Sequence, residues 1–223
     1  HIPMAAYAEE VNKTFFVYGG TPQDGERYLQ CMVGCYDHNT GMLQKPRLVF
    51  DKGQNGVNDP HDNPIIQIDK DGYTWVFVAG RGYKPYDITS FKYINEDIMA
   101  YPQIHYSPEK GFFLFFTRYD GKRQLFFRTS KDGKKWSAHQ QIASIKEEGD
   151  KQSGHYQITN CRGQKVVSAF NRHPNGNCDG RTNIYFIQSE DWGQTWTTVD
   201  GTPIELPLTT LYNDALVRDY QSQ

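Results

Sequence analysis

The chain has 223 residues, with 24 Lys and Arg against 26 Asp and Glu and a formal net charge of -2, so it carries no electrostatic footprint for nucleic acid or for an anionic membrane surface. No apolar run approaches the roughly 20 residues of a membrane-spanning helix, and the opening stretch HIPMAAYAEE has neither the basic nor the apolar segment of an export signal. Fifteen Tyr and 13 Phe with 20 Gly and 11 Pro favour many short strands joined by tight turns, which predicts an all-β chain forming a single domain over residues 1–223.

In chain order, the first informative stretch is LQCMVGCYD. Cys31 and Cys35 lie an even number of residues apart, so on a strand they share one face. Four cysteines are too few for a disulfide scaffold, and the pair reads as buried thiols.

Self-similarity begins at Asn63. Three segments align: NPIIQIDKDG before TWVFVAG, YPQIHYSPEKG before FFLFFTR, and HYQITNCRG before KVVSAFN. Each reads as a strand, a glycine turn and a returning strand. After the second and third hairpins a further strand, RQLFFRTS or TNIYFIQS, runs into an acidic turn that ends on tryptophan. The turn Ser189-Glu-Asp191-Trp-Gly193-Gln-Thr195-Trp196 fits the Asp-box pattern S-x-D-x-G-x-T-W fully, and Ser130 to Trp136 fits it one residue shorter. In such a turn the Asp accepts backbone N–H bonds, the Gly takes a positive φ, and the Trp plugs between sheets. Two such turns at the same place in a three-strand repeat predict propeller blades, four-stranded and antiparallel, or a related all-β repeat.

Hairpin geometry then separates two ends of each sheet. The start of a first strand and the end of the second lie at one end, with their turn at the other. His61, Tyr101 and His155 therefore fall on one rim with Arg81, Arg118, Asn171 and His173, while Asp132 and Asp191 go to the opposite face as scaffold. The rim without acidic turns is the expected functional one. The repeat is also uneven: Gln103 and Gln157 are 54 residues apart, but Pro64 and Pro102 only 38. The shortfall falls after Gly82, where no third strand is evident, and predicts a segment missing between Gly82 and Tyr83.

The strings Asp59-Pro-His61-Asp-Asn63-Pro64, VFVAG-Arg81-Gly82, AYPQIHY and FTRYDGKRQLFF, followed by the acidic turn, resemble the BNR-repeat proteins that include ulvan lyases and related polysaccharide-active propellers. The likeness runs from about Val11 to Tyr220. It implies a propeller of about seven blades, of which this chain holds about four or five, so that ALVRDYQSQ reads as a truncation and a second copy or further blades would complete the ring. It implies a secreted or periplasmic protein acting on a polysaccharide or oligosaccharide. It further implies a catalytic set at His61, Arg81, Tyr101 and Arg118, with arginine at 81 where ulvan lyases have a second histidine.

Those residue types suit β-elimination on a uronic acid, which needs a cation for the developing aci-carboxylate, a base for the C5 proton and an acid for O4. Arg118 and Arg81 are the carboxylate holders, Tyr101 and His61 are the acid and base in either order, and His155, Asn171 and His173 are expected to contact substrate. Two readings from other classes stand beside this one. One is a glycoside hydrolase, rhamnosidase-like or sialidase-like; the other is a carbohydrate-binding propeller without catalysis. No cofactor is implied. His155, Cys161, His173 and Cys178 are metal-ligand types, but Cys161 belongs to the far turn and the four cannot converge, which leaves a structural metal open and no metal site assigned.

Overall fold

The computed structural model describes residues 4–21, 23–25, 30–51, 63–77, 80–82, 87–89, 91–92, 99–119 and 123–219. The chain falls into two compact units, His1–Asp97 with Tyr101–Ile104, and Ile98–Ala100 with His105–Gln223. The first contains two sheets. One joins β1 (Ala5–Ala8), β2 (Lys13–Gly20), β3 (Gln30–Asp37) and β4 (Met42–Asp51) in that order, and the other joins β5 (Ile65–Ile68), β6 (Thr74–Phe77), β7 (Gly80–Gly82) and β8 (Phe91–Lys92). Their shared core is Phe15, Val17, Val33 and Cys35 packed with Ile66, Val76 and Ile88. Cys31 and Cys35 are both buried and form no disulfide.

The next sheet has the order β12-β11-β10-β9, built from β9 (Ala100–Ser107), β10 (Gly111–Tyr119), β11 (Arg123–Ser130) and β12 (Gln140–Ala143). The last runs β13 (Gln157–Arg162), β14 (Lys165–Arg172), β15 (Thr182–Ser189), β16 (Trp196–Thr197) and β17 (Pro203–Ile204), with β18 (Leu216–Arg218) also paired to β15. Sequence pattern explains the strands. In KVVSAFNR burial alternates residue by residue along β14, the mark of a half-covered strand. The run GFFLFFT of β10 is buried throughout, as expected of a strand covered on both faces. Successive antiparallel sheets of about four strands, with no α-helix among the described residues, are the blades of a β-propeller. No helix of the described residues is long and apolar enough to cross a membrane.

The structure departs from the sequence reading in the second sheet. What reads as one returning strand, TWVFVAG from Thr74 to Gly80, is two: β6 ends at Phe77 and β7 begins at Gly80, and the two pair antiparallel with Trp75 opposite Arg81. The third strand that the sequence seemed to lack is therefore the three-residue β7, rich in glycine and so weakly strand-forming on its own. Tyr83, and with it the expected break after Gly82, lies outside the described residues.

The two tryptophan turns are held by their carboxylates. Asp132 Oδ1 accepts the N–H groups of Lys134 and Lys135, both at 2.9 Å. Asp191 Oδ1 accepts those of Gln194 at 3.0 Å and Thr195 at 2.9 Å, and its Oδ2 accepts the Thr195 hydroxyl at 2.7 Å. Gly193 follows with φ 85, and a Cβ there would stand 2.7 Å from Phe113 Cε2, so only glycine fits. The turn thereby lays Trp192 and Trp196 against Phe113, with centroids 5.4 and 6.4 Å away, and Trp196 against Phe127 at 5.3 Å.

Burial works against the Asp191 carboxylate, but the hydrogen bonds from Thr195, Ser189 and Gln194 win and lower its pKa. Its contribution is thus complete above the ordinary carboxylate value of 3.8 and is lost as pH falls through the lower folded value. Asp191→Ala is expected to lower unfolding free energy by about 2 kcal/mol at neutral pH, since it strips several N–H and O–H groups of their acceptor. Urea denaturation of the variant and parent measures this, and the difference between them should narrow below pH 3.8.

Candidate functional site

His61 lies outside the described residues. Arg81 is described only through its backbone, in the middle of β7 with Trp75 on one side and Lys92 on the other, rather than closing a second strand. Tyr101 is the second residue of β9 and has φ 49. A bulky residue in that left-handed region is strained, and strain of this kind gathers at functional sites. Arg118 is the penultimate residue of β10, opposite Gln124, with its guanidinium 5.4 Å from the centroid of the Phe126 ring.

His155, Asn171 and His173 come together in the second unit, at the end of the last sheet opposite its tryptophan turn. His155 is fully buried. Its Nε2 accepts the Ile145 N–H at 3.0 Å, which leaves the ring proton on Nδ1 to be donated to the Asn171 carbonyl at 2.9 Å. Both ring nitrogens are thus engaged by backbone, and burial pushes the pKa down to about 4. Asn171 accepts the Tyr156 N–H on its side-chain oxygen at 3.1 Å and donates its own N–H to the Tyr156 carbonyl at 3.1 Å. The two residues position Tyr156 at the mouth of β13.

His173 stands edge-on to Tyr156, centroids 4.6 Å apart, and neither of its buried ring nitrogens has a hydrogen-bond partner among the described residues. Burial, then the charge of Arg123, then His155 and Arg181, push its pKa to about 3. It packs so closely on Gly154 that a Cβ there would lie 2.9 Å from the His173 Cβ.

Around Tyr156 stand residues that the repeat alignment passes over. The guanidinium carbons of Arg123 and Arg181 lie over its ring, 5.6 and 5.2 Å from the centroid. Arg123 donates from Nη2 to the Gly176 carbonyl and interacts with the side chains of Cys178 and Tyr119, while Arg181 Nε donates to the Cys178 carbonyl at 2.9 Å. A usable sequence signal exists, since each arginine sits at the opening of a third strand, Arg123 as the first residue of β11 and Arg181 just before β15. At the 54-residue spacing of Gln103 and Gln157, Arg118 of FFTR corresponds to Arg172 of AFNR. Arg172 is buried in ion pairs with Glu147, at 2.7 Å, and Asp150, so it belongs to the scaffold. Among the described residues no three His, Cys, Asp or Glu side chains gather as a metal site.

Residues 14–223 match the family described as BNR repeat-containing family member. Among solved structures, a PL25 ulvan lyase bound to -[GlcA(1-4)Rha3S]- is similar with TM-score 0.77 and 19% identity, over 93% of this chain and 56% of the lyase. The polysaccharide lyase Uly1 has TM-score 0.63 and 16% identity, over 96% of this chain and 58% of its own. The α-L-arabinofuranosidase Arb93A of Fusarium graminearum has TM-score 0.50 and 12% identity, over 91% and 69%. This chain thus spans little more than half the length of the two lyases. No curated protein matches it.

Three histidines share a depressed pKa: the half-buried His105 at about 4, bonded to the Thr159 hydroxyl, and the buried His155 at about 4 and His173 at about 3. The unfolded chain binds these protons near pH 6.5 and the folded chain does not, so stability is complete above pH 6.5 and drains away towards pH 4. A urea midpoint that falls steeply across this window is expected. His155→Gln should lower the midpoint at pH above 6.5 and flatten the slope below it; an unchanged slope would mean that His155 is charged in the fold.

Proposed function

Because the chain belongs to the BNR repeat-containing family, we propose that it is a carbohydrate-active propeller that cleaves a uronic-acid-containing polysaccharide by β-elimination. The observation that carries this reading is Tyr101, held at φ 49 as the second residue of β9, in the same sheet in which Arg118 is the penultimate residue of β10. Such a left-handed conformation at a bulky residue suits a side chain aimed at a reacting bond.

In the reaction the C5–H bond breaks and its electrons form the C4=C5 double bond. The C4–O4 bond breaks in turn, and O4 leaves with a proton. Arg118, with Arg81, holds the uronate carboxylate and stabilises the charge that develops on it as C5 loses its proton. Tyr101 and His61 are the base and acid, and a cationic neighbour that lowers the tyrosine's pKa makes it the more effective proton acceptor. A substrate of this size fits a secreted protein.

Incubation with uronic-acid polysaccharides tests the reading through the ultraviolet absorbance of the unsaturated uronide. Absorbance is expected to grow, and Tyr101→Phe and Arg118→Met should each cut kcat/KM by on the order of a hundredfold or more. New reducing ends without absorbance would replace elimination with hydrolysis, and retained affinity with neither product would leave a binding protein.

A further inference from the structure

We propose that Arg123 and Arg181, arranged about Tyr156 with Tyr119 beside them, form an anion-binding subsite that takes a charged substituent of the polysaccharide, a sugar carboxylate or sulfate ester. The inference rests on the carbohydrate part of the proposed function and is independent of elimination.

The geometry argues for a ligand. Two guanidinium groups stand over one ring, and among the described residues no carboxylate pairs with either. Each guanidinium therefore keeps its charge uncancelled beside this ring, and an oxyanion is drawn to it. The contrast with Arg172 on the same sheet is direct, because that guanidinium is buried and neutralised by Glu147 and Asp150. Arg123 and Arg181 are held instead by neutral groups, the carbonyls of Gly176 and Cys178. Carbonyl anchors fix the direction of a guanidinium without cancelling its charge, and its remaining N–H groups can engage an oxyanion, singly or as a fork.

The platform beneath is rigid. Tyr156 is pinned through its backbone by Asn171 and wedged by His173. The wedge adds no competing charge, since His173 is neutral at any pH well above 3. Tyr119 at the end of β10 is 48% exposed and interacts with Arg123, which offers an aromatic edge for the sugar ring that carries the anion.

Arg181 is the residue to change, because it is exposed and its one hydrogen bond among the described residues runs to a loop carbonyl. Calorimetric titration of the full chain would use four forms of one oligosaccharide: native sulfated and uronic, desulfated, carboxyl-reduced, and both. Arg181→Gln is expected to weaken binding of the native form roughly tenfold, to leave the doubly modified neutral form unaffected, and to flatten the salt dependence. Whichever single modification makes the substitution silent identifies the group bound, sulfate or carboxylate. Arg181→Lys, which keeps the charge without the fork, should fall between the two and guards against a folding defect. Equal losses for the native and neutral forms, or no loss for the native form, would overturn the subsite. A chain that binds through Arg181 but releases no unsaturated product would defeat elimination and leave the subsite standing.

Discussion

In the second unit, Trp192 and Trp196 are pressed by a single turn against the phenylalanines of the neighbouring sheet, and most of the architecture follows from that contact. Phe113, Phe115 and Phe127 on one sheet meet Phe170, Tyr185 and Ile187 on the other, with the two tryptophans closing the seam. Rings of this size are each worth roughly 1.5–3 kcal/mol when buried, so the seam dominates the packing of the unit. The tryptophans reach it only because Asp191 gathers the N–H groups of Gln194 and Thr195 and Gly193 leaves room for Phe113.

That arrangement divides the two ends of each sheet by chemistry. At the turn end, Asp132 and Asp191 have their lone pairs directed into their own loops. At the other end the strands open into longer connections, and the polar groups there face one another across sheets. Arg123 donates its N–H to the Ser153 carbonyl and its side chain to Gly176, which ties the opening of β11 to the mouth of the last sheet. One end is thus self-satisfied, while the other collects arginine, tyrosine and histidine around a shared platform.

Much of this was legible in the sequence, for local reasons. Strand, glycine turn, strand and tryptophan turn each have residue signatures within about ten positions, and the last two sheets follow them closely. The first sheet carries no such signature: its turn after β3, His38 to Gly41, has no tryptophan and is held by Asp37, through its side chain to Asn39 N–H and its carbonyl to Gly41 N–H, and by contacts with Asn12 and Val11 far off in sequence. The second sheet was misread at β7, where glycine on both sides of Arg81 hid a strand. At the rim, hairpin spacing places His155, Asn171 and His173 near one another, but the burial of the two histidines depends on chain that wraps them, Ile145 for His155 and Gly154 for His173. The Arg123–Tyr156–Arg181 cluster joins residues up to 58 positions apart; the repeat places each arginine at the opening of a third strand, but their meeting at one ring is set by the packing of the sheets.

The central claim is that the strand-end rim, and not the tryptophan-turn face, is where ligand meets this protein. Backbone amide chemical-shift mapping during titration with an acidic oligosaccharide tests it most directly. The account requires the largest shifts at Tyr119, Arg123, Tyr156, His173 and Arg181, with Lys131 to Trp136 and Glu190 to Trp196 still. Shifts centred on those two turns, with the rim silent, would contradict it.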